Sequence, residues 1–302
     1  MSTFPTGSES STTLANLIPS LWGEKINDFY KSVLVAGNFF VNRSEELADG
    51  GSVLYTPNLT EMTANVISNA TAVTMNNATE TKNTLTVNNW YEVSFAIEDA
   101  EAAQLKHSYY LQEKYAKNAG YTIGKQLEIA LMSQFANVTT NTAGSSLTAI
   151  VDSTIRKAIG LYEGGNALPE EGAFFFDKKG VWNQLMGIDK FTLAINAPTM
   201  DPVNKGAMGK LYGYPLYGSN NIQFVSGSTG RYNFLGNPDS IHFATSPLGS
   251  GGSLGAMVGS MGVRVQSNYV PQYLSTLTTA DILYGVTLNR QAGGVAILTL
   301  AS

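Results

Sequence analysis

From Gly50 to Ile97 the chain is almost entirely Thr, Asn, Ser and small apolar residues, and from Glu98 to about Phe135 one unbroken helical pattern follows. That order limits what the chain can become. The first run has too little apolar mass for a core of its own. It alternates nevertheless: Val53 and Tyr55, then Leu85 and Val87, then Tyr91, Val93, Phe95 and Ile97. Period-two alternation predicts strands, here near 52–57 and 84–97. The patternless stretch 68–82 between them predicts a mobile tip. Gly50-Gly51 opens this two-stranded ribbon and Pro57 ends its first strand. A two-stranded ribbon alone is marginal in water. It needs a surface to lie on, and a second copy of the same chain is the expected one.

The helical run is free of proline. Ala103, Leu105, Tyr109, Tyr110, Ala116, Ala119, Ile123, Leu127, Ala130, Leu131 and Phe135 recur at three- and four-residue steps, and Glu98-Asp99 sit where acids favour a helix start. At its full expected length the helix reaches roughly 55 Å. That is long for a globular helix and predicts a spine for other parts.

Before the ribbon, a Ser/Thr-rich arm over residues 1–13 precedes an amphipathic helix over Pro19–Val35. After the spine, 138–146 reads as a polar linker and a domain boundary. A second amphipathic helix then carries Leu147, Ile150, Val151, Ile155, Ala158, Ile159 and Tyr162, and stops at Gly164-Gly165-Asn166. Next come a buried strand Ala173–Phe176, Asp177 as a cap, and a short helix with Val181, Trp182, Leu185 and Met186. Residues 196–210 read as loop. Short strands follow at 213–217, 221–225, 231–235 and 241–244, then at 262–267, 282–288 and 295–300. No repeat of fixed period is present.

Composition narrows the function. The 302 residues are 43% hydrophobic, enough for a sizeable core, but only 14% are charged, against a usual quarter. A surface so poor in charge suits a protein that covers its exterior with neighbours. It equally suits the uncharged surface of secreted and β-rich proteins. The net charge is −5 and no basic stripe exists, which argues against sequence-specific nucleic-acid binding. A container needs no such stripe. With no cysteine, disulfides, thiolate metal sites and cysteine nucleophiles are excluded. The start MSTFPTGSESSTT lacks the flank and apolar core of a signal peptide, and no run approaches the ~20 apolar residues of a membrane span. Cytoplasmic production and no membrane partner are expected.

Catalytic readings find little support. His107 lies in the spine and His242 on a strand, with no G-x-S-x-G elbow. The acidic groups Glu45-Glu46, Glu98-Asp99-Glu101 and Glu170-Glu171 are adjacent acids of the solvating or capping kind, not opposed pairs. The run GSGGSLGAMVGSMG at 249–262 lacks the Lys-Ser/Thr ending of a phosphate loop. No metal-ligand spacing appears. Catalytic, cofactor and metal residues are therefore all expected to be absent. Tyr109-Tyr110 and Tyr212, Tyr214 and Tyr217 fit interface anchors and core positions equally well.

Taken in order, these elements resemble a tailed-bacteriophage major capsid protein of the Hong Kong 97 type. LANLIPSLWGEKINDFYKSVLVAGNFF (14–40) is similar to that family's N-terminal arm and helix. GGSVLYTPNLTEMTANV (50–66) through TLTVNNWYEVSFAIED (84–99) resembles its E-loop, and 98–135 its P-domain spine helix. Residues 147–187 look like the start of the axial A-domain. GYPLYGSNNI (213–222) and YNFLGNPDSIHFA (232–244) resemble its middle strands, and DILYGVTLNRQAGGVAILTL (281–300) its closing segment. The motifs are soft; their joint order over nearly the whole chain is what is specific.

The resemblance implies an α+β fold: N-terminal arm and short helix 1–49, extended β-hairpin E-loop 50–97, P-domain with spine helix 98–146, A-domain 147–262, and closing strands 263–302 returning to the A- and P-domains. It implies a non-enzymatic, self-assembling virion subunit. Hexamers and pentamers of it would form an icosahedral shell around double-stranded DNA, assembled in the bacterial host cytoplasm. The implied partners are other copies, portal, scaffolding and cement proteins. Some relatives join an E-loop Lys to a P-domain Asn. Lys82 is the only Lys in the E-loop here and no motif marks an Asn partner, so a non-covalent shell is expected. A separate scaffolding protein is also expected, unless a propeptide has been removed. An encapsulin-type compartment uses the same fold and differs in cargo. A β-rich carbohydrate-active enzyme or adhesin is the alternative from another class.

Overall fold

The computed structural model describes residues 35–47, 50–59, 62–69, 71–76, 80–100, 108–165, 171–188, 209–227, 229–246, 248, 256–258 and 263–300. The expected N-terminal arm and most of the 19–35 helix lie outside the described residues. In chain order the strands used below are β1 (Val41–Asn42), β2 (Val53–Leu59), β3 (Glu80–Thr86), β4 (Asn89–Glu98), β5 (Thr142–Gly144), β6 (Ala173–Asp177), β7 (Lys210–Leu211), β8 (Tyr214–Ser219), β9 (Gly230–Gly236), β10 (Ile241–Ser246), β11 (Ala256–Val258), β12 (Val263–Val270), β13 (Ser275–Leu288) and β14 (Gly294–Leu300). The helices are α1 (Ala36–Phe39), α2 (Ser108–Ser133), α3 (Asp152–Gly164) and α4 (Val181–Met186).

The spine helix α2 presents Ala119, Ile123, Leu127 and Leu131 on one side, all buried. Four-residue steps of this kind lay a single apolar stripe along a helix. A short 3-10 turn, Gln134–Asn137, extends the stripe to Phe135. The expected stretch from Glu101 to His107 lies outside the described residues, and Glu98 ends a strand instead of starting the helix.

Two sheets meet this stripe. The first is centred on β13, the longest strand. Ser275–Asp281 run between β12 and β4, while Leu283 and Tyr284 lie between β4 and β10. The sequence pattern predicts this strand only from Ile282, and the structure starts it at Ser275. Its Thr-rich first half, STLTTAD, carries no clear apolar alternation, and pairing on both sides is what holds it extended. Tyr91, Val93, Phe95 and Ile97 share one face of β4. Val93 and Phe95 pack into the same core as the stripe.

The second sheet has the order β5-β14-β9-β6-β8-β7. Both its faces are covered. Ala173, Phe175, Phe234 and Ala296 point to the spine side, and Phe174, Phe176, Leu235, Val295 and Ile297 to α3 and α4. This explains why β6 is an unbroken apolar run. The segment read as a linker, 138–146, contributes β5, which pairs in parallel with β14 around buried Ala143. The expected strand 221–225 is reduced to a single bridge between Phe224 and Arg231.

Phe135 stacks on Phe234 at 4.5 Å between ring centres, with planes 2° apart. Phe40 packs edge-on to Phe135 and stacked on Phe175. This cluster joins the residues before β1, the spine and the second sheet. Replacing Leu127 by Ala, on the stripe that ends here, is expected to cost about 2–5 kcal/mol. Chemical denaturation should read this as a lower midpoint with an unchanged slope; an unshifted midpoint would contradict the packing role.

Candidate assembly surface

The ribbon consists of β2 and β3, registered from Val53 opposite Thr86 to Leu59 opposite Glu80. The strand read as one piece over 84–97 breaks at Val87-Asn88. Its second part, β4, leaves the ribbon and pairs with β13 along ten residues, Asn89–Glu98. The reason is side-chain composition. β4 has a continuous apolar face to lay against the core, whereas β3, ETKNTLT, has only Leu85.

Two glycines open the ribbon at φ of +100° and +129°, Gly50 and Gly51, where L side chains are disfavoured. At the other end of its base the ribbon backbone crosses β13 at Gly285. A Cβ there would meet the carbonyl oxygen of Thr86 at 2.2 Å, so only glycine permits the approach. The base is buried: Leu85 and Val87 pack with Leu47 and Ala244, and Leu54 and Leu283 close the cluster.

Beyond the base, the ribbon is turned inside out relative to an ordinary sheet strand. Leu54, Thr56 and Asn58 share the half-buried face. Val53, Tyr55, Pro57 and Leu59 form the other face and are exposed, Tyr55 at 57% and Leu59 at 72%. Lys82 lies across this outward face, its Nζ 4.5 Å from the centre of the Tyr55 ring. The following loop continues the exposure. Met62, Val66, Ile67, Val73 and Met75 are all open to solvent, Val66 fully at 101%. The loop closes on itself through the Asn65 side-chain amide, which donates to Asn76 Oδ1 at 3.0 Å. A run of exposed apolar side chains on one element marks an interaction surface.

A second exposed aromatic is held rigidly. Trp90 is 65% exposed, yet its Nε1 donates to Asp281 Oδ2 at 3.1 Å. Asp281 is buried and receives Arg264 through two parallel bonds of 2.9 and 2.6 Å. Bidentate pairing of this kind fixes orientation.

A buried carboxylate fixes the point where the chain enters this body. Glu128, on the spine, accepts from the backbone N–H of Val35 at 3.1 Å and of Ala36 at 2.9 Å, with Ser219 Oγ at 3.4 Å. Burial pushes the Glu128 carboxyl above its ordinary range, and the backbone donors pull it back only in part. No feature of the sequence singles this residue out except its place beside the apolar stripe.

The other candidates fall apart as sites. His242 is buried on β10 with its Nε2 2.9 Å from Asp239 Oδ1; His107 lies outside the described residues. Glu46 pairs with Arg43 at 2.6 Å and Asp99 accepts from the Tyr269 hydroxyl at 2.8 Å. Glu45, Glu98 and Glu171 are exposed. Glu101 and Glu170 are outside the described residues. Of the run 249–262, Ala256–Val258 form β11, paired with Val263–Val265. Tyr214 is core, Tyr217 packs on Phe175 and Tyr212 is exposed, so the tyrosine group divides. Among the described residues no three His, Asp or Glu side chains converge on a metal position, and no helix is long and apolar enough to cross a membrane.

No protein-family model and no curated protein matches the sequence. Solved structures do. A chain from Mycobacterium phage Che8 superposes with a TM-score of 0.71 at 16% identity, over 93% of this chain and 97% of that one. A chain from the capsid structure of the cyanophage P-SCSP1u gives 0.70 at 11% identity, over 98% and 96%. One from the capsid of a native GTA particle gives 0.69 at 12% identity, over 97% and 99%. The α+β fold of this chain is thus the fold of these phage and particle capsid chains over nearly its whole length.

The Glu128 geometry has a pH consequence. Its folded-state carboxyl binds protons more tightly than in the unfolded chain. The stability linked to that proton is complete below the ordinary carboxylate range and is lost as pH rises through the raised value. As pH rises above the ordinary carboxylate range, unfolding midpoints of the native chain should fall relative to those of Glu128→Gln, which cannot titrate. Parallel profiles would contradict this.

Proposed function

We propose that this chain is a major capsid protein of the Hong Kong 97 type, the repeating subunit of a tailed-phage head that encloses double-stranded DNA. The carrying observation is the outward row Val53, Tyr55, Pro57 and Leu59. A strand whose apolar side faces away from its own body is made to be covered. In a shell of identical subunits the cover is a neighbouring copy, and closure multiplies contacts that are individually weak. The capsid fold of the matching chains supports the reading independently.

In this reading the E-loop is the ribbon and its loop, from Gly50 to Asn88, nine residues shorter than the alternation implies because β4 belongs to the sheet. The P-domain is α2 with β4, β12 and β13. The A-domain is the sheet from β5 to β7 with α3 and α4, directed at the five- and six-fold axes. The arm before Val35 ties adjacent subunits. Portal, scaffolding and cement proteins complete the particle, which is assembled in the host cytoplasm. The subunit carries no catalytic role.

Replacing Val53, Tyr55 and Leu59 together by Thr, Thr and Ser keeps strand-compatible residues while removing the outward apolar row. The variant should fold, by circular dichroism and melting, and should form no closed shells by electron microscopy. Normal particles from it would defeat the assignment of this face.

A further inference from the structure

The apolar cluster at the ribbon base fixes its root but not its direction, because hydrophobic contact is not directional. One polar contact supplies direction. Asn83 lies on the inward face of β3, two residues further out than Leu85, and its Nδ2 donates to Asn289 Oδ1 at 3.1 Å and to the Asn289 backbone carbonyl. Among the described residues it is the outermost ribbon residue hydrogen-bonded to the body. We propose that Asn289 is the positioning residue of the ribbon, holding it at one angle through this amide contact.

Asn289 is suited to that role because its own amide cannot turn. It is 5% exposed. Its Nδ2 donates to the Asp239 carbonyl at 3.1 Å. Its backbone N–H donates to the Ser240 carbonyl at 2.8 Å. His242 Nε2 is held in turn by Asp239 Oδ1, and Arg290 Nε lies 3.2 Å from Asp239 Oδ2. A flipped Asn289 would set its oxygen against the Asp239 carbonyl and its NH2 against that of Asn83, losing both bonds. The turn before β10 and the connection after β13 therefore present one acceptor, in one orientation, to the ribbon. Asn58 and Asn83 face Arg290 and Gln291 across the same groove. The consequence for assembly rests on the capsid reading: the angle decides where the outward row is presented to a neighbour.

The chain has no cysteine, so Thr84→Cys and Lys157→Cys, both exposed, accept spin labels cleanly. Pulsed electron resonance on dissociated full-length subunits should give one narrow distance distribution. Asn83→Ala and Asn289→Ala should each broaden it about twofold or more. The double variant should be no broader than either, because both remove the same contact. Asn83→Asp keeps the shape but loses the donor, and should be as broad as Asn83→Ala. Amides of Thr81–Thr86 should exchange about tenfold faster, with the melting temperature of the Asn83 variants within about 2 °C of the parent. A narrow, unshifted distribution in Asn83→Ala and Asn83→Asp would overturn the proposal, whether or not Asn289→Ala folds. Failure of the unmodified chain to form particles would overturn the capsid reading instead, while the label distances would still decide the latch.

Discussion

Everything in the described body hangs on the apolar stripe of the spine helix. Ala119, Ile123, Leu127, Leu131 and Phe135 form one side of a core whose other sides come from two separate sheets. Without that stripe the β13 sheet would expose Val93, Phe95 and Ile282, and the β14 sheet Phe175 and Phe234. Each sheet is thus completed by the same helix. The Phe135–Phe234 stack is where the helix end and the second sheet lock together, and Phe39 and Phe40 draw the residues before β1 into the same cluster. A long helix shared between two sheets makes a stiff platform from which a ribbon can project.

The ribbon obeys the opposite rule. Its base is packed, and among the described residues its outer part carries exposed apolar side chains. Conformational entropy opposes ordering such an element, and burial against a neighbour would offset it. The price of specificity is met by polar contacts at defined points, Glu128 at the chain entry and Asn83–Asn289 at the ribbon root. The first holds Val35 and Ala36 against the spine, and the second orients a ribbon that hydrophobic packing alone would leave free to swing. Trp90, bonded to the Asp281 carboxylate that Arg264 holds, is a third preset feature, on β4.

Much of this was legible in the sequence, and the rest was hidden for identifiable reasons. The three- and four-residue steps of the spine, the double-sided apolar run at Ala173–Phe176 and the stop at Gly164-Gly165 are local signals, and they correspond to α2, β6 and α3. The alternation at Val53 and Tyr55 marked a strand but not which way its apolar side faces, since direction depends on what lies behind it. The alternation from Leu85 to Ile97 looked continuous although the chain changes partner at Asn88, because β13, far along the chain, decides the pairing. Asn83, Asn289 and Glu128 gave no signal, as lone polar residues acquire roles only when the fold brings distant segments together.

In the capsid reading the outward face of the ribbon is covered by another copy of this chain. Imaging the purified protein by electron microscopy to side-chain detail tests it most directly. Closed shells are expected, in which Tyr55 and Leu59 of each subunit are buried against a neighbour. A stable, dispersed subunit that forms no shell, or a shell in which that row stays open to solvent, would contradict it.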